Sequence, residues 1–203
     1  MTFCHPIDRP NNEHPFASRA GTYPQRKHPL SIAQEIETAL AKHNTATVFA
    51  LLDQNLHVIN DQIAPGNTFT FLIEACRRRY SDIVAGLIER GAEVNRANAV
   101  DDKGEGGNTP IWFACQGGNP GDPEIVTMLI SHGADIDARG ENGWSALHRA
   151  YQWGHVERAR ILIEKGGDTS CIDNDGRSPL EWATGKVSDD ILKELATLPP
   201  HTS

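Results

Sequence analysis

Two segments of this chain share one pattern at a fixed distance. Ser145–Ala150 (Ser-Ala-Leu-His-Arg-Ala) and Ser178–Ala183 (Ser-Pro-Leu-Glu-Trp-Ala) lie 33 residues apart. Related segments begin at Thr70 and Thr109, and an apolar stretch follows each one. A repeat of about 20–50 residues indicates a solenoid, in which a unit buries its apolar side only against its neighbours. The chain is therefore predicted to be a stack of similar units with an extended recognition surface.

Each unit is predicted to contain two helices. Ser31 and Gln34 form a capping box that begins the first helix, and Pro110 suits the first turn of a later one. Gly91 is suited to end a second helix in the left-handed conformation. The predicted domain covers residues 30–198. It comprises an N-terminal cap at about 31–60, repeats at about 66–97, 105–138 and 141–172, and a C-terminal cap at about 174–197.

Two regions depart from the repeat. Residues 1–29 contain five prolines, several histidines and little apolar periodicity, which predicts a flexible tail. This tail is either a docking peptide or an unstructured leader. The segment from Asn95 to Thr109 is about six residues longer than the usual spacing. This 98–108 insertion is either a specificity element or a tolerated surface loop.

The charge of the chain bears on its partners. The net charge is −8, but residues 1–30 carry four basic and two acidic side chains, so the other 15 basic and 25 acidic residues sum to −10. An acidic body repels phosphate backbones and favours a protein partner with a basic surface. No segment approaches the ~20 apolar residues of a membrane span, and the first residues lack the pattern of a secretory signal. We expect a cytoplasmic protein that binds neither nucleic acid nor membrane.

From about residue 31 to 197 the chain resembles the ankyrin repeat proteins. The resemblance lies in Thr-Pro-Leu-His-like helix starts, Gly-His turns such as Gly154-His155, and Gly-Ala-Asp closures such as Gly133–Asp135, all in register. It implies an all-α ankyrin solenoid of antiparallel helix pairs, three clear repeats between two capping repeats, joined by protruding β-turn fingers. Fingers and first helices would form a concave surface. Members of the family mostly bind other proteins and rarely act as enzymes alone.

Residues that resemble catalytic groups are explained by the repeat. His148 belongs to the Thr-Pro-Leu-His-like element, where the family uses the imidazole to bond the turn, and His155 belongs to a Gly-His turn. Asp173 is expected to bond the backbone of its own finger. Cys76 and Cys115 follow equivalent helix alanines and are expected to be buried thiols, since no metal-type spacing occurs. The sequence thus indicates no catalytic residue, no metal and no cofactor.

The predicted partner-binding residues are those that the family pattern places at finger tips and on exposed parts of the first helices. Trp144 and Trp153 are the expected anchors, because exposed Trp is enriched at interface hot spots, whereas Trp112 and Trp182 are expected to pack between repeats. The full set is Phe69, Arg77, Arg78, Glu105, Asn108, Gln116, Glu141, Asn142, Trp144, Gln152, Trp153, Asn174, Asp175 and Arg177.

These features predict a non-enzymatic interaction module that binds one macromolecular partner through the concave surface, as a monomer or in a heterocomplex. A stoichiometric inhibitor, for example an immunity-type protein, is one form of this function. A scaffold or adaptor is the alternative. An enzyme or metal-binding protein that uses Asp101 and Asp102 of the 98–108 insertion is a third reading, although adjacent carboxylates suit a solvated surface better.

Overall fold

The computed structural model describes residues 30–63, 66–100, 105–117 and 123–199. The predicted tail at 1–29 and the Asp101–Asp102 pair lie outside these ranges. Ten α-helices are present in the described residues: α1 Ile32–Ala41, α2 Thr45–Gln54, α3 Phe71–Arg78, α4 Ser81–Glu89, α5 Pro110–Ala114, α6 Glu124–Ser131, α7 Ala146–Gln152, α8 Val156–Glu164, α9 Pro179–Ala183 and α10 Asp189–Ala196.

Local sequence explains where these helices begin and end. Ser31 accepts from the Gln34 N–H while the Gln34 side chain accepts from the Ser31 N–H, which confirms the predicted capping box. Pro110 occupies the first turn of α5, as predicted. Gly91 follows α4 with φ of +88°, a value that glycine adopts without the steric penalty of a Cβ.

The helices pack as a two-layered stack. The first helices of the units contact one another in the order α3, α5, α7, α9, while the second helices α2, α4, α6, α8 and α10 form the other layer. One continuous apolar core runs between the layers. Within the described residues the regular elements are helical, apart from an isolated bridge between Gln62 and Thr70. The predicted all-α solenoid is confirmed.

Small and aromatic side chains fill the contacts between units. Cys76 and Cys115 are fully buried, and burial raises the pKa of both thiols, so they are packed as neutral groups. Trp112 is 4% exposed, which confirms the predicted packing position. In the part of the chain that the structure describes, no helix is both long and apolar enough to cross a bilayer.

Hydrogen bonds tie the fingers to one another. Asn98 donates from its backbone to Asn108 O and accepts at Oδ1 from the Asn108 N–H. The Oδ1 atom of Asn108 then accepts from the Glu141 N–H of the next finger at 2.9 Å. Farther along, the Asn174 N–H donates to Asn142 O. The fingers are therefore linked from one unit to the next, and this fixes the side chains beside them.

Candidate functional site

Two rows of side chains define the surface formed by fingers and first helices. The finger row consists of the residues immediately before the Ser or Thr that caps each first helix: Phe69, Asn108, Trp144 and Arg177. The helix row consists of the residues immediately before the small alanine of each first helix: Glu74, Phe113, Arg149 and Trp182. Because the repeat places equivalent residues one above another, each row runs across four units.

The two rows interleave through aromatic contacts. Phe69 packs edge-to-face on Phe113 of the following unit, with ring centroids 5.1 Å apart. Trp144 makes the same kind of contact with Trp182, at 4.5 Å. Such pairs are worth about 0.5–1.5 kcal/mol beyond the area they bury. A finger residue of one unit thus covers a helix residue of the next.

The middle of the rows breaks this aromatic pattern. There the finger residue is Asn108 and the helix residue of the next unit is Arg149, and both line a cleft of about 260 Å³. Phe69, Phe113 and Trp112 form its apolar side. Polar side chains, including those of Glu105, Gln116 and Glu141, form the rest of its lining. We call this the central cleft.

Arg149 lines the central cleft and is held there by three contacts. Its guanidinium carbon lies 4.0 Å from the ring centroid of Trp112 and 5.3 Å from that of Trp144. One terminal nitrogen donates to Gln152 Oε1 at 2.6 Å. Burial lowers the pKa of Arg149 to about 10, with Glu141 opposing this effect, so the group stays charged at neutral pH. A desolvated guanidinium between two indoles is a preorganised donor.

The structure places part of the predicted site together. Phe69, Glu105, Asn108, Gln116 and Glu141 all line the central cleft. The remaining predicted residues lie elsewhere. Asn142, Asn174, Asp175 and Arg177 are exposed on the last two fingers, and Gln152 and Trp153 line a separate shallow cavity with Lys186, Val187 and Ile191.

Two predicted residues are not exposed. The expectation that Trp144 projects from the surface is wrong: it is 7% exposed, because Trp182 and Arg149 cover its faces. Asn108 is 4% exposed, because its side chain links two fingers. Trp153, in contrast, is 42% exposed, as expected for an anchor.

Arg77 and Arg78 are tied to one carboxylate. The Nε atoms of Arg77 and Arg78 donate to Glu74 at 2.8 and 2.6 Å. Burial alone would raise the pKa of Glu74, but the two guanidiniums hold it below its ordinary value. The Arg77 guanidinium also lies 5.7 Å from the Phe69 ring centroid. This cluster occupies the N-terminal end of the two rows as a fixed, charged edge.

The buried histidines form hydrogen bonds with backbone groups. Nδ1 of His148 accepts from the Ser145 N–H at 3.3 Å, so Nε2 carries the proton and donates to Arg177 O at 3.1 Å. His155 Nε2 bonds Gly117 O. Asp173 Oδ1 accepts from the N–H groups of Asp175 and Arg177, both at 2.9 Å. The predicted turn roles of His148 and Asp173 are confirmed.

Lowering the pH is expected to destabilise the protein through His155. Burial first, and then the neighbouring Arg158, lower the pKa of His155 from 6.5 to about 4. The unfolded chain therefore binds a proton between these values that the folded chain does not. The free energy of unfolding is therefore highest above pH 6.5 and decreases as the pH falls. The expected decrease between pH 7 and pH 5 is about 2 kcal/mol.

Urea titrations at pH 7 and pH 5 measure this loss. In His155→Gln an uncharged donor replaces the imidazole, so most of the loss in the free energy of unfolding should disappear. The remaining loss comes from His148, because burial also lowers the pKa of that side chain. The matched control is His132→Gln at an exposed histidine, which should keep the wild-type loss. An unchanged loss in His155→Gln would contradict the assignment.

Sequence reasoning missed Arg149 and Phe113 and favoured packing over binding for Trp112. A signal for the first two was present. Each stands immediately before the helix alanine, at the position of Glu74 and Trp182, and comparison of the four units would have placed them on one line. No sequence signal indicated that Trp112 both packs between repeats and lines a cleft, because its position in the repeat is consistent with either role.

The two-layered stack of helix pairs, with linked fingers along one side, defines a helical-repeat scaffold. The family described as "Ankyrin repeats (3 copies)" matches residues 36–140 and 111–201. The chain belongs to the ankyrin repeat family. Members of this family are generally non-enzymatic modules for protein–protein interaction.

Similar proteins occur in several organisms. An ankyrin repeat and KH domain-containing protein of Caenorhabditis briggsae is 30% identical over 169 residues, 79% of this chain and 6% of that protein. Human ankyrin repeat domain-containing protein 63 is 33% identical over 100 residues, 47% of this chain and 26% of that protein. Mouse protein phosphatase 1 regulatory subunit 27 is 37% identical over 83 residues, 41% of this chain and 51% of that protein. The aligned part therefore spans about half or less of each relative.

Proposed function

We propose that this chain is a non-enzymatic binding module that holds one protein partner against its fingers and first helices. The observation that carries this proposal is the central cleft, an opening between the aromatic pairs that is lined by residues of three fingers and three units. The buried imidazoles of His148 and His155 bond backbone carbonyls and so serve the fold. A cytoplasmic location and a basic partner surface belong to the same proposal.

Charge complementarity favours the basic partner. Glu105 and Glu141 place carboxylates at the central cleft, and Asp175 is exposed on the last finger. Residues 31–203 carry the chain's net negative charge. Opposite charges at an interface speed encounter and orient the partner, whereas like charges across it are costly. The similarity to a regulatory subunit of a protein phosphatase is compatible with an enzyme as the partner.

Charge reversal at the cleft should weaken partner capture. We expect Glu105→Lys/Glu141→Lys to bind at least about tenfold more weakly than wild type. The matched control is Glu89→Lys/Glu164→Lys, which changes the same charge at exposed positions on the second helices α4 and α8. Affinity capture from native lysate with quantitative mass spectrometry, after circular dichroism has verified folding, compares the three proteins.

The outcomes of this comparison separate the alternatives. A protein retained by the control and lost by the cleft variant supports the proposal, and equal retention by both variants contradicts it. Calorimetry with the purified partner then measures stoichiometry. A one-to-one complex that blocks the partner's activity indicates a stoichiometric inhibitor or immunity-type protein, whereas simultaneous binding of a second protein indicates a scaffold or adaptor.

A further inference from the structure

Three polar atoms at the central cleft have no hydrogen-bond partner among the described residues. They are the indole Nε1 of Trp112, the guanidinium Nε of Arg149 and the amide Oε1 of Gln116. Each is a buried atom, and Trp112 as a whole is 4% exposed. A buried donor or acceptor without a partner costs about 1–3 kcal/mol, so native structures pair nearly all of them. The three residues that carry them line one cleft, which points to a ligand there.

The three atoms fix the hydrogen-bonding character of that ligand. Trp112 Nε1 and Arg149 Nε are donors only, while Gln116 Oε1 is an acceptor. A carboxamide presents an oxygen with two lone pairs and an N–H group, so it can satisfy all three atoms at once. An ammonium group has donors only and would face two donors, which excludes a lysine head group from this position.

The charges that line the cleft favour a carboxamide ligand over a carboxylate ligand. The cleft contains one guanidinium, that of Arg149, and two carboxylates, those of Glu105 and Glu141. A carboxylate ligand would bring a third negative charge into a partly desolvated site and would leave Gln116 Oε1 facing an acceptor. A neutral amide adds no charge, so the cleft favours it.

Burial of the indole nitrogen favours a side-chain amide over a backbone amide. Trp112 lines the cleft together with Phe69 and Phe113, and its Nε1 atom is buried. A Gln or Asn side chain carries its amide on a narrow aliphatic stem, which suits a confined space. A backbone amide of the partner would have to bring the two residues that flank it into the same space.

We propose that the central cleft is a specificity pocket for the carboxamide side chain of a Gln or Asn residue in the protein partner. This inference rests on the proposed function and adds the chemistry that the partner must present. Arg149 is preorganised for the role by its contact with Trp112 and by Gln152, so little order has to be gained on binding.

Nuclear magnetic resonance of the indole N–H groups tests the pocket directly. The probes are N-acetyl-glutamine N-methylamide and the corresponding glutamate and norleucine derivatives, which share both backbone amides and differ only in the side chain. We expect the glutamine probe to shift the Trp112 indole resonance, with about tenfold weaker binding of the other two, since they lack one or all of the matching hydrogen bonds. Trp112→Phe assigns the resonance.

Variants give the test its controls. Arg149→Lys keeps the charge but removes the Nε donor, and should weaken the response of the Trp112 resonance to glutamine. Arg160→Lys makes the same change on the second helix α8, where the Nε atom donates to Glu157 outside the cleft, and should leave that response unchanged.

An equal or larger shift of the Trp112 resonance with the glutamate probe would contradict the inference and indicate an anion site. Equal shifts with all three probes, or no shift with any of them, would also contradict it. A partner captured through the cleft whose contacting residue is not Gln or Asn would also overturn it while leaving the proposed function intact. Equal retention of the partner by both variants in the charge-reversal experiment would instead contradict the proposed function on which this inference rests.

Discussion

Replacing Trp144 with alanine is expected to lower the free energy of unfolding by about 3–5 kcal/mol. The indole is 7% exposed, packs edge-to-face on Trp182 and lies 5.3 Å from the Arg149 guanidinium. Truncation therefore removes a buried aromatic group, leaves a cavity between two units and uncovers a charged neighbour. Urea denaturation followed by far-ultraviolet circular dichroism measures the change at pH 7.

Trp153→Ala is the matched control, because it removes the same side chain at a position that is 42% exposed. Its free energy of unfolding should stay within about 0.5 kcal/mol of wild type, as is usual for surface positions. Equal effects of the two substitutions would contradict the burial of Trp144. Partner binding should be tested only with Trp153→Ala. Weaker partner binding by Trp144→Ala would result from its disrupted packing and would not identify a contact with the partner.

The features that the sequence predicted correctly depend on neighbours within a few residues. The capping box of Ser31 needs only Gln34, and Pro110 needs only its place in a first turn. Gly91 needs only to follow the last turn of α4. The apolar period then requires these helix pairs to stack, so fold class followed from the chain alone.

The features that it predicted wrongly depend on residues in the adjacent unit. Trp144 occupies a finger position that can face solvent, and it is buried because Trp182, further along the chain, reaches back over it. Asn108 is buried because the next finger donates the Glu141 N–H to it. The repeat pattern describes positions and not the sizes of the side chains that meet there. Burial at such positions therefore requires packing detail that periodicity does not contain.

Comparison of the second helices identifies a position that breaks the core pattern. Arg158 of α8 stands where α4 has Ile83, α6 has Ile125 and α10 has Ile191. Ile83 and Ile125 belong to the apolar core, and Arg158 is likewise only 2% exposed. Its Nε and one terminal nitrogen have no hydrogen-bond partner among the described residues. Burial first, and then neighbouring Arg79, lower the pKa of Arg158.

Arg158→Ile is expected to raise the free energy of unfolding by about 1–4 kcal/mol. A buried charge costs desolvation that only well-placed partners repay, and apolar replacements of similar volume are often stabilising by this amount. Arg158→Lys, which keeps a buried charge, should give no such gain. Urea denaturation of the three proteins at pH 7 measures the difference, and a loss of stability in Arg158→Ile would show that the guanidinium contributes more than its desolvation costs.

The same substitution should change the response to acid. Arg158 helps to lower the pKa of His155, because a nearby positive charge disfavours the imidazolium. With isoleucine in its place, the folded-state pKa of His155 should rise toward 6.5, and the stability lost between pH 7 and 5 should become smaller than in wild type. An unchanged loss, together with a gain in stability at pH 7, would mean that Arg158 is buried without influence on His155. A smaller loss, together with a gain in stability at pH 7, would show that one buried cation limits the stability of this repeat and adds to its sensitivity to pH.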